Sequence, residues 1–379
     1  MSRKPGILTL YRICFLFLAL GVFGLTIHAR RLKQHVATLE RDIKFAPERE
    51  AEQTKAEIES ILRQEGLEVD DDTVSVEYEQ RCDLCFYLDD FADLSVLQKL
   101  PPAVRLASLN IGGTKVPDLN ALRSAYASDL CLEYLDAEDT QISDLSPLVG
   151  HPIRSLDVSL TQVADISPLQ GTPLTSLKAN FTGVSDLTPL RGKALTELEL
   201  TKTPVSDLSP LKGMPIETLS IAATQVSDLT PLRGMPLEIL FLDLSQVADL
   251  TPIKGMGLRV LGLGFTKATD LQAVAGMQLA GLSILGTKIT DLTPLKGMDL
   301  EMLAFEPWKV EKGIDIVRGM PKLRIISVGQ GYEYTYLNPA DFWKRYDEGR
   351  FKSGKQKWKS EEELMEWMIK VFESRERNQ

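Results

Sequence analysis

Leucine returns every 21 residues through the centre of the chain, at Leu135, Leu156, Leu177, Leu198, Leu219, Leu240, Leu261, Leu282 and Leu303. Around each anchor the apolar positions are fixed. One falls three residues before it and one two residues after it, as with Ile153, Leu156 and Val158. Three more follow at offsets seven, ten and thirteen, for example Val163, Ile166 and Leu169. The anchor and the position two beyond it alternate as in a short strand. One copy cannot bury all six apolar side chains alone, so the copies must stack into a solenoid.

The polar positions are equally regular. Five residues after the anchor stands a hydroxyl, from Thr114, Thr140 and Thr161 through Ser245 to Thr287. It is expected to turn inward where the chain leaves the strand and needs local hydrogen bonds. At offset nine stands an aspartate, including Asp144, Asp186, Asp228 and Asp291, expected to accept backbone N–H groups in its own turn. Ser/Thr-Pro follows, as in Ser146-Pro147 and Thr293-Pro294, and predicts a hydroxyl cap with proline at the first helical position. Only a few residues remain before glycine, so each copy has room for one 3₁₀ turn on its convex side.

The segment "TQISDLSPL" at 140–148 and its later copies resemble the leucine-rich repeats of the bacterial internalins. The resemblance covers about two thirds of the chain and implies a leucine-rich-repeat solenoid, with parallel strands on the concave face and tight turns on the convex face. Threonine stands where that family usually carries asparagine, the copies are one residue shorter than its common length, and its surface-attachment modules are absent. The expected relatives are membrane-attached repeat proteins.

The organisation expected along the chain has five parts. Residues 1–29 contain the apolar run 13–29 behind Arg3, Lys4 and Arg12 and form a signal-anchor or transmembrane helix, with a cleaved signal or a buried helix as alternatives. Residues 30–68 form a charged helical spacer whose stripe Leu32, Val36, Leu39 and Ile43 allows weak self-association over 30–66. Residues 69–104 carry a degenerate capping repeat with Leu84, Phe86, Phe91, Leu94 and Leu97 at repeat offsets. The repeats proper occupy 105–331. A helical C-terminal cap or tail spans 332–379, with an Asn338 cap, and with Leu364, Trp367, Met368, Val371 and Phe372 on one face after the capping box of Ser360 and Glu363.

Charge narrows the partners. The first 33 residues hold six basic residues and no acid, so the other 346 carry 37 basic against 53 acidic residues, a net of −16. An acidic body of this kind argues against nucleic acid. Cys82, Cys85 and Cys131 are candidates for a disulfide, and free buried cysteine is the equal alternative. No catalytic constellation, metal site or cofactor loop is present in the sequence, and His28, His35 and His151 are scattered.

Function is therefore expected to reside on a surface. Leu160, Phe181, Leu244 and Phe265, four residues after their anchors, join Ile239, Phe241 and Val260 as a candidate protein-binding patch on the concave face. Lateral packing of these side chains on one another is the competing expectation. Glu133, Asp136, Glu138, Asp139 and Asp157 make the N-terminal end acidic and favour a basic partner. The expected activity is non-enzymatic binding of protein or peptide outside the cytoplasm, from a single-pass membrane anchor. The alternative is a structural spacer in an envelope assembly.

Overall fold

The computed structural model describes residues 55–60, 63–64, 74–78, 82–87, 94–95, 97, 105–125, 132–330 and 333–351. The described residues fall into two compact units, one ending at Gly257 and the other beginning at Leu258. The apolar run 13–29, most of the charged spacer, Cys131 and the amphipathic segment after Phe351 lie outside the described residues. Among the described residues no helix is long and apolar enough to cross a membrane.

In the first unit β1 (Val74–Tyr78) runs antiparallel to β2 (Cys82–Tyr87), and β2 pairs in parallel with β3 (Arg105–Asn110) through an irregularity at Leu84/Cys85. Six strands of three residues continue the parallel run: β4 (Tyr134–Asp136), β5 (Ser155–Asp157), β6 (Ser176–Lys178), β7 (Glu197–Glu199), β8 (Thr218–Ser220) and β9 (Ile239–Phe241). Each anchor leucine pairs with the next, Leu135 with Leu156 and Leu156 with Leu177, so a 21-residue period becomes a constant register. The short helix α1 (Asn120–Ala125) occupies the longer connection after β3. The anchor and the five apolar positions around it are buried: Ile153, Val158, Val163 and Leu169 are 0% exposed, and Leu156 and Ile166 are 1% exposed.

In the second unit β10 (Val260–Gly262), β11 (Gly281–Ser283), β12 (Met302–Phe305) and β13 (Ile325–Gln330) are parallel. The order then breaks. The helix α2 (Ile314–Arg318) takes the convex side, and β14 (Glu333–Leu337) turns back antiparallel to β13. Helix α3 (Pro339–Asp347) follows, capped by the Asn338 side chain, which accepts the N–H of Asp341 at 2.9 Å. Phe342 of α3 is 0% exposed and sets its ring against Phe305 of β12 at 5.7 Å.

The threonine file points inward as its chemistry requires. The Thr161 hydroxyl donates to the Val158 carbonyl at 2.6 Å, and Thr140, Thr182, Thr203, Thr224, Thr266 and Thr287 repeat the bond to the carbonyl three residues earlier. Ser245 is the exception: 1% exposed, its hydroxyl finds no partner among the described residues. Serine lacks the methyl that holds the threonine rotamer. Ser245→Thr is therefore expected to restore the bond to Leu242 and raise stability by about 1 kcal/mol, read as an increase in Tm.

The convex turns differ from expectation in one respect. Wherever Ser/Thr-Pro stands it opens a 3₁₀ turn, such as Ser146–Leu148 and Thr188–Leu190, but the hydroxyl residue is the first residue of the turn and not its cap. The capping group is the aspartate two residues earlier. Asp144 Oδ1 accepts the Ser146 N–H at 2.7 Å and its Oδ2 accepts the Ser146 hydroxyl at 2.6 Å, and Asp165 and Asp207 repeat both bonds. A carboxylate reaches the free N–H groups of a turn better than a short hydroxyl and suits the positive end of the turn. The Ser146 hydroxyl and N–H accordingly hold the Asp144 carboxyl below its usual range, and Thr188 and Thr230 do the same for Asp186 and Asp228.

His151 adds a second pH dependence. It is 3% exposed, its Nδ1 accepts the Leu132 N–H at 3.3 Å, and burial pushes its pKa below the ordinary 6.5. The unfolded chain binds a proton below pH 6.5 that the folded chain resists. Stability is therefore fully present above that pH and falls as pH drops toward the folded pKa, by up to about 1.4 kcal/mol per pH unit. Urea midpoints measured from pH 7 to 5 are expected to fall in the native chain and to stay nearly level in His151→Gln, whose amide oxygen still accepts the Leu132 N–H. The lowered aspartates lose their contribution in a separate window, below the ordinary aspartate value of 3.8, which both proteins share.

Candidate protein-binding face

On each strand of the first unit the anchor points into the core, and the residues on either side of it point to the opposite sheet face. Parallel register aligns these into two columns. One runs Asn110, Asp136, Asp157, Lys178, Glu199, Ser220 and Phe241, and the other includes Tyr134, Ser155, Ser176, Glu197 and Thr218.

The N-terminal part of this face is an acidic corner. Oxygens of Asp136, Glu138 and Asp157 lie within 4.8 Å of one another. The backbone fixes two of them: Asp136 Oδ1 accepts the Glu138 N–H at 3.1 Å, and Asp157 Oδ1 accepts the Ser159 N–H at 2.9 Å. Asn110 does the same for Gly112 one strand earlier, and offers its amide to Asp136 Oδ2 at 3.5 Å. Glu133 is engaged by Arg154, Nε to Oε2 at 2.8 Å. Carboxylates held this close by the backbone make a strong negative potential, which favours an incoming cation.

The next two strands offset part of their own charge. Lys178 Nζ lies 3.6 Å from both Glu197 and Glu199, and Asn180 and Ser176 donate to the remaining oxygens of Glu199 and Glu197. Such a network offers a partner little charge.

The column four residues after the anchors does not lie on the strands. Asp139, Leu160, Phe181, Lys202, Ala223 and Leu244, and Phe265 in the second unit, all have φ between 55° and 60°. They occupy the tight turn that leaves the strand, and each N–H from Asp139 to Ala223 donates to a carbonyl of the following coil, as Leu160 does to Asn180 at 2.8 Å. Left-handed backbone favours glycine, which does stand in this column at Gly113 and Gly286. Those two glycines are the sequence signal that marks the column as turn, not sheet.

Leu160, Phe181, Phe241 and Leu244 are half-buried, whereas Ile239 is 7% exposed. Phe181 lies beneath Lys202, whose Nζ is 5.6 Å from the ring centroid. In the second unit Val260 is 3% exposed. Phe265 is laid across Gly286, where an added Cβ would come 2.3 Å from the ring. Both aromatic side chains of this column therefore pack along it, onto the next turn. The first unit brings Leu160 and Phe181 close to the acidic corner, on coils adjoining Asp139 and Asp157. Cys82 and Cys85 lie on β2, away from this face in sequence.

No family model matches the chain, and no curated protein matches it. Among solved structures, an internalin, InlF, of Listeria monocytogenes shares 24% identity, covering 65% of this chain and 80% of that one with a TM-score of 0.56. Internalin C2 of the same organism shares 24% identity over 55% of this chain and 82% of its own, with a TM-score of 0.41. The leucine-rich-repeat ectodomain of a plant membrane receptor kinase from Arabidopsis thaliana shares 13% over 65% and 32%, with a TM-score of 0.43. Likeness to InlF, together with the parallel strands and 3₁₀ turns of each coil, establishes the leucine-rich-repeat fold.

Proposed function

We propose that this chain is a non-enzymatic binding module that takes a basic, partly apolar segment of protein or peptide on the sheet face of its first unit. Convergence of Asp136, Glu138 and Asp157 within 4.8 Å beside the half-buried Leu160 and Phe181 supports this reading. The corner supplies attraction and orientation for a lysine or arginine, and the adjoining rim supplies apolar contact. Phe241 and Leu244 extend the apolar contact at the other end of the unit, beside the nearly buried Ile239. The apolar run 13–29 would display the module from a bilayer, with the repeats outside the cytoplasm.

A displayed library of random dodecapeptides, sorted on the full chain, tests the proposal. Sequences carrying Lys or Arg next to aliphatic residues are expected to be enriched. Their affinity should fall at least tenfold in Asp136→Asn/Asp157→Asn and in Phe181→Glu, and should weaken with salt. Absence of enrichment, or binding indifferent to these substitutions, would favour a structural spacer instead.

A further inference from the structure

Methionine recurs where the chain leaves the convex turn for the next strand: Met214, Met235, Met256, Met277, Met298 and Met320 each follow a glycine. These are six of the ten methionines in the chain, so composition alone does not put them there. The other buried files are filled mainly by leucine, isoleucine and valine. A thioether differs from those side chains in being polarizable and oxidisable. Five of the six are shut off from solvent: Met214 is 2% exposed, Met235 and Met298 4%, Met277 5% and Met320 8%. Met256 is only half-buried. Its backbone does not set it apart from its neighbours in the first unit. The N–H groups of Met214, Met235 and Met256 donate to the carbonyl three residues earlier at 3.1, 3.1 and 3.2 Å, and the glycines before them have φ of 73°, 75° and 72°. The residue that follows does. Pro215 and Pro236 come after the first two, whereas Gly257 comes after Met256, and a Cβ added there would meet nothing within 4 Å.

We propose that Met256 is a site of reversible oxidation, taking an oxygen atom from hydrogen peroxide or a related hydroperoxide where Gly257 leaves the methionine file uncovered. The sulfur lone pair attacks one peroxide oxygen, and the O–O bond breaks as the S–O bond forms. The departing hydroxide takes up a proton and leaves as water. Sulfur is thereby oxidised by two electrons and the peroxide reduced by two. The sulfoxide oxygen is polar and requires a hydrogen-bond donor, which a file of thioethers does not offer. Oxidation therefore loosens the coil that begins at β9 and runs through the turn Thr251–Ile253 to Met256. The inference is independent of the ligand proposed for the first unit.

Treatment of the full-length protein with hydrogen peroxide, followed by mass spectrometry of its peptides, provides the test. Met256 is expected to gain oxygen roughly tenfold or more faster than Met214 and Met235. Gly257→Pro, which restores the residue found in the two preceding copies, should slow Met256 by roughly threefold or more without changing the circular dichroism. The urea midpoint of the treated protein should fall, and should recover on incubation with methionine sulfoxide reductases. Met256→Leu should show no such fall. Equal rates along the file, or a Met256 rate that Gly257→Pro leaves unchanged, would overturn the proposal. So would a fall in midpoint that persists in Met256→Leu, because oxidation elsewhere would then be what the fold senses.

Discussion

Gly313→Ala is expected to destabilise the second unit by about 3 kcal/mol or more, the largest effect of adding a methyl group at any described glycine. Gly313 precedes α2 with φ of 84°, and a Cβ there would lie 2.7 Å from both the Leu292 carbonyl carbon and the Thr293 nitrogen. Both are backbone atoms of the preceding coil, which the Lys312 carbonyl holds in place through the Leu292 N–H at 2.9 Å. A side chain can swing aside, but this ladder cannot. Gly297→Ala separates the two causes. Its φ is 79° and nothing lies within 4 Å of the added Cβ, so it carries only the left-handed cost of about 1–2 kcal/mol. Urea denaturation of the two variants should therefore give clearly different midpoints. Equal losses would mean that the coil at Leu292 yields to the added methyl.

Phe342→Ala should cost about 3–5 kcal/mol, in the range for emptying a fully buried aromatic site. Phe342 joins β12 to α3 and to the chain beyond it, with Phe305, Tyr346 and Phe351 ring centroids at 5.7, 6.0 and 5.0 Å. Arg318 of α2 reinforces the same helix from outside by lying 4.5 Å from the Trp343 ring centroid and pairing with Asp347. Because each coil contacts only its neighbours, the loss should appear first as fraying of β13 and β14. Hydrogen exchange of Ile326 and Val328 amides should accelerate while that of Leu198 and Leu219 stays unchanged.

The coil and its register were legible in the sequence because they depend on apolar spacing, which repetition makes unambiguous. The inward threonines were legible for the same reason, since a hydroxyl kept at one offset has a backbone reason for being there. Two features were not. Which group caps the convex turn depends on reach, and the sequence places Asp144 and Ser146 equally near the turn start; only the bond lengths assign the cap to the carboxylate. Leu160 and Phe181 were legible as side chains off the core but not as left-handed turn residues, because bulky residues normally avoid that backbone. Of the candidate site, the acidic corner was foreseeable from composition. The meeting of Asp136, Glu138 and Asp157 requires the pairing of β4 with β5.

The aspartate that closes each convex turn satisfies donors belonging to its own coil. Insertion or deletion of one whole copy therefore leaves no donor stranded and no register broken. Such a molecule can lengthen or shorten by recombination in steps of a single repeat, and its reach is the property most free to diverge among descendants.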